Sequence, residues 1–148
     1  MLDIYIACDH AGFTLKEILK ESLAAAGHTT IDCGTNSLES CDYPLLAHKL
    51  CQLLSLKEKA YGLLICGTGI GMSMVANRYP KIRAALCTTE LHAKLARRHN
   101  NANVLCLGAR MTGVELAKAI LDAFLDTPFE GGRHERRITE FNALESKS

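Results

Sequence analysis

The residues of this chain that are best placed to do chemistry begin with Cys66, which ends the apolar run in LLICGTGIGMSM, residues 63–74. Glycines follow it in the spacing G-x-G-x-G, with Met72 directly after the last one. A dinucleotide-binding fingerprint needs G-x-G-x-x-G after the first strand, and a Walker A loop ends in Gly-Lys-Ser/Thr. Both nucleotide-binding interpretations are therefore weak, and the pattern favours a strand-to-helix turn that exposes backbone N–H groups.

A glycine turn of this kind can bind an anion or stabilise a developing oxyanion. Cys66 would lie at its mouth, near a helix N-terminus, which is a position that stabilises a thiolate. A thiolate there could be a nucleophile, which would need a His–Asn/Asp orienting system, or a general base. Proton abstraction beside a carbonyl needs oxyanion donors and a hydroxyl, which the loop amides and Thr68 supply. The alternative is a turn without a ligand, and the density of glycine makes that less favoured.

Further polar residues lie next to other predicted strands. Asp9 and His10 follow the first strand and share an edge with Cys66, although Asp9 could also serve as a helix N-cap. His99 and Asn100 precede the fifth strand, so topology puts them at the opposite edge unless the loop folds over or a neighbouring subunit supplies them. A lone histidine in a loop is more often structural than catalytic.

Basic residues indicate an anion site. On a helix, Arg133 and Arg137 share a face, and like charges at this spacing repel each other unless an anion lies between them. Two guanidinium groups on one face suit a phosphate, whereas nearby glutamates would fit a solvated face instead. Arg110 follows the fifth strand at the ligand edge. A thiol base, an oxyanion site and a basic site together point to a small phosphorylated metabolite that carries a carbonyl group.

Alternating short β-rich runs and longer helical patterns must position these residues. This alternation predicts βαβ units and a parallel sheet covered by helices on both faces. The tail after Pro128 predicts one more helix, in which Ile138, Phe141 and Leu144 share a face; docking on a partner subunit and packing on its own domain both stay open. Strands are predicted at 2–8, 28–33, 61–66, 82–87 and 103–107, and helices at 11–26, 43–59, 70–78, 89–99 and 112–126.

Composition sets the limits on function. The chain has 148 residues, 48% of them hydrophobic, and a formal net charge of +1, which predicts one globular domain without the basic excess of a nucleic-acid-binding protein. No apolar run is long enough to span a membrane, and the N-terminus lacks the basic region of a signal peptide, so we expect a cytoplasmic protein. Its seven cysteines are odd in number and form no Cys-x-x-Cys pair, which argues against disulfides or a zinc ribbon.

The motifs ACDHAGFTLK, DCGTNS, DYP, ICGTGIGMSMVANR, IRAALC, RRHNNANVLCLGAR and EGGRHERRI occur in this order over nearly the whole chain. Together they resemble the type B ribose-5-phosphate isomerases, a family that includes galactose-6-phosphate isomerase subunits and allose-6-phosphate isomerases. The resemblance implies a Rossmann-like three-layer α/β/α sandwich with a five-stranded parallel sheet. It implies a single sugar-phosphate isomerase domain over 1–148, whose C-terminal helical extension, 130–148, contacts a partner subunit.

The resemblance also implies the reaction and the residue roles. The family interconverts D-ribose 5-phosphate and D-ribulose 5-phosphate through an enediolate, without metal or cofactor, in the non-oxidative pentose phosphate pathway. Its active sites are shared within a homodimer or a dimer of dimers. The matching catalytic positions are Cys66 as the base, Thr68 beside it in the enediolate site and His99 as the ring-opening acid. The matching substrate-binding positions are Asp9, His10, Tyr43, Gly67, Gly69, Ile70, Gly71, Asn100, Arg110, Arg133, His134 and Arg137.

One branch of the family uses a glutamate just after the last loop glycine as the base, where this chain has Met72. Cys66 therefore places the chain in the cysteine branch. Because all the matching residues occur in one chain, we expect a homo-oligomer rather than two unlike subunits. Two alternatives stay open: a six-carbon substrate such as allose 6-phosphate, and a non-catalytic sugar-phosphate-binding module. The second is disfavoured because a pure binding protein needs no base.

Overall fold

The computed structural model describes residues 1–145. The strands are β1 (Asp3–Cys8), β2 (Thr29–Asp32), β3 (Ala60–Cys66), β4 (Ala84–Leu86) and β5 (Val104–Gly108). The helices are α1 (Phe13–Ala25), α2 (Tyr43–Leu54), α3 (Ile70–Ala76), α4 (Glu90–Asn100), α5 (Val114–Asp126) and α6 (Arg133–Glu145). Each predicted element is present, although β4 is shorter than predicted and α2 ends at Leu54 rather than at 59.

All five strands are parallel, in the order β2-β1-β3-β5-β4. Cys8 pairs with Ile65, and Cys66 pairs with Gly108, so the carboxyl ends of β1, β3 and β5 lie side by side. This edge is where open α/β sheets bind ligands. The turns that follow these three strands carry Asp9, the glycine loop and Arg110.

The sheet has one hydrophobic core on each face. Because side chains alternate along a strand, Ile4 and Ile6 of β1 face the layer formed by α1, α4 and α5, whereas Tyr5 and Ala7 face α2 and α3. Cys66 belongs to the second core. The structure thus confirms the three-layer α/β/α sandwich with a five-stranded parallel sheet.

The last helix, α6, packs against α4. Ile138 is buried there, whereas Phe141 is 38% exposed and Leu144 is 64% exposed. The helix therefore docks partly on its own domain and leaves one end of its apolar face uncovered. The last three residues of the expected extension, 146–148, lie outside the described residues. Within residues 1–145, no helix is long and apolar enough to cross a membrane.

An ion pair between a buried lysine and a partly exposed aspartate lies at the end of β2. Lys16 is fully buried, and its Nζ donates to Asp32 Oδ1 at 2.7 Å and to the Thr35 carbonyl at 2.6 Å. Burial alone would raise the pKa of the Asp32 carboxyl, but hydrogen bonds from Lys16, Lys20 and the Gly34 N–H outweigh it and lower that pKa. The pair fixes the segment after β2, which lies beside the start of the loop that follows β1.

Candidate active site

Cys66 is the last residue of β3, and the glycine loop that follows it turns directly into α3. The Gly69 N–H donates to the Cys66 Sγ at 3.1 Å, and the Ile70 N–H donates to the Thr68 Oγ1 at 3.2 Å. The sulfur therefore already accepts one loop amide. This hydrogen bond ties the Cys66 side chain to the loop.

Close backbone contacts explain why the loop needs glycine. Gly69 has a φ of +78°, and a Cβ there would lie 2.6 Å from the Leu86 Cδ1 and 2.9 Å from the Leu107 carbonyl carbon. A Cβ on Gly108 would lie 2.6 Å from the Thr68 carbonyl carbon. The loop thus packs directly against the end of β5. The G-x-G-x-G spacing is therefore explained by the close approach of the loop backbone to the β5 backbone, and not by binding of a nucleotide phosphate.

An open pocket of about 430 Å³ lies over the loop and is called here the Cys66 pocket. The Arg110 side chain lies over Gly67: a Cβ added to Gly67 would be 3.2 Å from the Arg110 Nη1. The Tyr43 ring lies over Gly71: a Cβ added to Gly71 would be 2.5 Å from the Tyr43 Cζ. The pocket therefore brings together a thiol, loop amides, a hydroxyl, a carboxylate and a guanidinium group. It is lined by Asp9, Tyr43, Cys66, Gly67, Thr68, Ile70, Gly71, Met74 and Arg110.

The loop after β1 supplies the carboxylate. The Asp9 Oδ1 accepts the N–H groups of Ala11 and Gly12 at 3.0 and 3.2 Å, so Asp9 is the predicted N-cap as well as a pocket residue. The His10 Nδ1 accepts the Cys41 N–H at 3.2 Å and holds the segment after β2, outside the pocket lining. Asp9 is thus oriented by backbone donors, and His10 lies at the same edge but does not line the pocket.

His99 lies elsewhere. It stands near the C-terminal end of α4, at the amino edge of the sheet, and its ring stacks on that of His134 with centroids 4.3 Å apart. The His134 Nε2 lies 3.4 Å from the Glu130 Oε2. His99, Glu130 and His134 are called here the His99 cluster. Burial, followed by the neighbouring charge of His99, lowers the pKa of the His134 imidazole.

The single chain therefore divides the predicted site residues into two groups. The carboxyl-edge group surrounds the Cys66 pocket, whereas the other group lies at the end of α4 and on α6, which packs against α4. The sequence-based topology anticipated this separation. The second group consists of His99, Asn100, Arg133, His134 and Arg137.

The seven cysteines are all free thiols in very different surroundings. Burial raises the pKa of the Cys8, Cys51 and Cys87 thiols to about 12. Cys106 lies in the middle of β5, where burial raises its pKa well above the ordinary value. Cys66 differs because it faces an open pocket. Burial of this kind is typical of cysteines that serve as small packing residues.

Met74 lines the Cys66 pocket, and the sequence analysis did not select it. It lies one helical turn after Ile70 on α3, and the two residues share a face. Met74 is 66% exposed. The spacing from Ile70 was the available signal, but only the pocket shows which face of α3 looks toward the sulfur.

Comparison with known proteins agrees with this geometry. The family model described as ribose/galactose isomerase matches residues 4–141. The chain is 44% identical over 147 residues to ribose-5-phosphate isomerase B of Escherichia coli (strain K12), and the match covers 99% of both chains. The solved structure of the Thermotoga maritima ribose 5-phosphate isomerase is similar at a TM-score of 0.93 and 54% identity, covering 96% of this chain and 98% of that one.

The structure of ribose-5-phosphate isomerase B from Mycoplasma genitalium, which holds ribulose-5-phosphate, is similar at a TM-score of 0.95 and 42% identity. That match covers 99% of this chain and 98% of the other. The family model, the sequence relatives and the solved structures agree with one another and confirm the resemblance that the motifs carry. This chain belongs to the ribose/galactose isomerase family.

Proposed function

We propose that this chain is an aldose–ketose isomerase that interconverts D-ribose 5-phosphate and D-ribulose 5-phosphate without a metal or cofactor. The observation that carries the proposal is the Cys66 thiol, which faces an open pocket among loop amides, with Arg110 at the rim. The relatives named for this reaction match the chain over its whole length, which supports the same substrate.

In this reaction the Cys66 thiolate removes the proton from C2 of the open-chain aldose. The C2–H electrons form the C1–C2 double bond, and the electrons of the C1 carbonyl move to its oxygen, which gives an enediolate. The thiol then returns the proton to C1, while the proton of the C2 hydroxyl passes to the C1 oxygen, so that C2 becomes the ketone and C1 carries a hydroxyl. The amides of residues 67–71 and the Thr68 hydroxyl stabilise the oxygen charge, because fixed donors there need no reorganisation.

A second copy of the chain completes the site in this proposal. Each copy holds one half of the predicted residues, and the two halves lie at opposite edges of its sheet. In a homodimer, one chain would offer the Cys66 pocket and its partner would offer His99 as the acid for ring opening and Asn100 as a sugar contact. Arg133, His134 and Arg137 of that partner would join Arg110 around the phosphate.

We further place the protein in the cytoplasm as a single domain, because its free thiols suit a reducing compartment.

The first experiment is an assay of the purified protein on ribose 5-phosphate and on allose 6-phosphate, with EDTA present, beside Cys66→Ala. We expect turnover of the pentose, deuterium at C1 of the product in D2O, and loss of turnover in the variant with phosphate ligands still bound. A Cys66→Ala protein at near wild-type rate, or a preference for allose 6-phosphate, contradicts the proposal.

The shared site is tested by mixing two inactive variants, Cys66→Ala and His99→Gln. In random hybrid dimers, one of the two sites receives an intact Cys66 and an intact His99, so activity should return to about a quarter of wild type. The separate variants, each refolded alone, are the control. If mixing restores nothing although mass spectrometry shows hybrids, both residues must act within one chain, and the two-copy arrangement is wrong.

A further inference from the structure

The His99 cluster carries the residue types of a transition-metal site. Two imidazoles and one carboxylate form a ligand set that Zn²⁺ and Co²⁺ accept readily. Each of these side chains offers one ligand atom, and the three atoms lie within 4.8 Å of one another. Within residues 1–145, this is the group of histidine, cysteine and acidic side chains that meets that spacing.

One of the distances between ligand atoms already matches that of a bound metal. With metal–nitrogen bonds of about 2.0–2.1 Å, two ligand atoms of a tetrahedral zinc site lie about 3.4 Å apart. The His134 Nε2 and the Glu130 Oε2 already have this separation, at 3.4 Å. The His99 ring is stacked beside that of His134, so it must rotate to direct its nitrogen to the same point.

The surroundings hold Glu130 and His134 in place and leave a path by which a cation can reach them. The Glu130 N–H donates to the Arg98 carbonyl at 3.1 Å, and the His134 N–H donates to the Gly131 carbonyl at 3.2 Å, so both ligands stand on fixed backbone. His134 is buried, whereas Glu130 is exposed, and a cation can approach from the carboxylate side. Arg133, next to His134, opposes the cation, so the site favours a metal that binds imidazole strongly over Mg²⁺ or Ca²⁺.

We propose that His99, Glu130 and His134 form a binding site for Zn²⁺-class ions and that the bound ion reversibly inhibits the enzyme. The inhibition rests on the proposed function, because it follows from withdrawing His99 from ring opening. The binding does not rest on it. The ion joins by coordination to nitrogen and oxygen lone pairs, with no change of oxidation state.

The test uses Co²⁺ added to the purified full chain, with Glu130→Gln and the matched variant Glu135→Gln. Both changes remove one negative charge near the start of α6, but only Glu130 belongs to the cluster. We expect Co²⁺ to give visible absorption without a thiolate-to-cobalt charge-transfer band. Glu130→Gln should raise the Kd at least about tenfold, and Glu135→Gln should leave it unchanged. Zn²⁺ should inhibit wild type, EDTA should restore activity, and Glu130→Gln should keep its basal activity and resist Zn²⁺.

Equal Co²⁺ affinities in Glu130→Gln and Glu135→Gln would overturn the inference, as would a thiolate charge-transfer band that Cys66→Ser abolishes. The two proposals fail separately. If the protein does not turn over ribose 5-phosphate but Co²⁺ binding still depends on Glu130, the function is wrong and the metal site stands. If turnover is present and Co²⁺ binding does not depend on Glu130, the metal site is wrong and the function stands.

Discussion

Gly69→Ala should damage both the stability and the chemistry of this protein, and Gly27→Ala separates the causes. Both glycines have a positive φ, +78° at Gly69 and +82° at Gly27. A Cβ at Gly27 meets nothing within 4 Å, whereas one at Gly69 would lie 2.6 Å from the Leu86 Cδ1 and 2.9 Å from the Leu107 carbonyl carbon. The Leu107 atom is backbone inside β5, so it cannot move aside cheaply.

The left-handed conformation costs an alanine about 1–2 kcal/mol, and overpacking adds about 1–3 kcal/mol more. We therefore expect Gly27→Ala to lower the free energy of unfolding by about 1–2 kcal/mol and Gly69→Ala to lower it by about 2–5 kcal/mol. Because the Gly69 N–H donates to the Cys66 Sγ, displacement of the loop should also reduce kcat by about tenfold or more. Gly27→Ala should keep wild-type kcat.

Urea denaturation followed by circular dichroism measures the stability of both variants, and an isomerase assay with ribose 5-phosphate measures kcat. If the two variants lose the same stability, the contact with β5 contributes nothing, and the close approach of the loop is not what requires glycine. If Gly69→Ala is destabilised but retains full kcat, the hydrogen bond from the loop amide to sulfur has no part in catalysis.

Four further outcomes follow from the same structure. Gly71→Ala should displace the Tyr43 ring, because the new Cβ would lie 2.5 Å from the Tyr43 Cζ. It should raise KM several-fold with little loss of stability. In a Tyr43→Ala background, Gly71→Ala should no longer change KM. Arg137→Ala should raise KM about tenfold or more with kcat nearly unchanged, and an unchanged KM would remove it from the phosphate site. Because the pKa of Asp32 is lowered in the folded state, its stabilisation is present above the unfolded value of about 3.9 and is lost as the pH falls through the folded value. Acid unfolding of Asp32→Asn should therefore lack this part of the pH dependence. In alkylation by iodoacetamide read by mass spectrometry, Cys66 should react well before Cys87, whose pKa burial raises to about 12, and ribose 5-phosphate should protect it.

Much of the fold could be predicted because its signals are local. α1 ends at Ala25, close to its predicted end at 26, because the left-handed Gly27 that follows closes the helix. The ends of elements were harder to predict. The helical apolar pattern does not show where the last turn loses its packing partners, and α2 stops at Leu54 rather than at 59. β4 is reduced to Ala84–Leu86 because it is an edge strand with one neighbour.

Within the site, the sequence by itself determined the local chemistry. A thiol, a hydroxyl and glycine amides within six residues define a base beside an anion-stabilising turn, because neighbouring residues in a tight turn must lie close together. The cap formed by Asp9 is equally local. These features depend on backbone geometry over a few residues, which the residue types at each position largely dictate.

Only the tertiary structure decided which of these features meet. The strand order β2-β1-β3-β5-β4 brings the ends of β1, β3 and β5 together, and hence Asp9, Cys66 and Arg110. The alternation of side chains along β3 turns Cys66 toward α2 and α3, where Tyr43 and Met74 become its neighbours. The same sheet keeps His99 apart from it and stacks that ring on His134. Which distant strands pair is not encoded in any local sequence pattern. The contacts among Asp9, Cys66 and Arg110, and the separation of His99 from them, are therefore fixed only when the sheet forms.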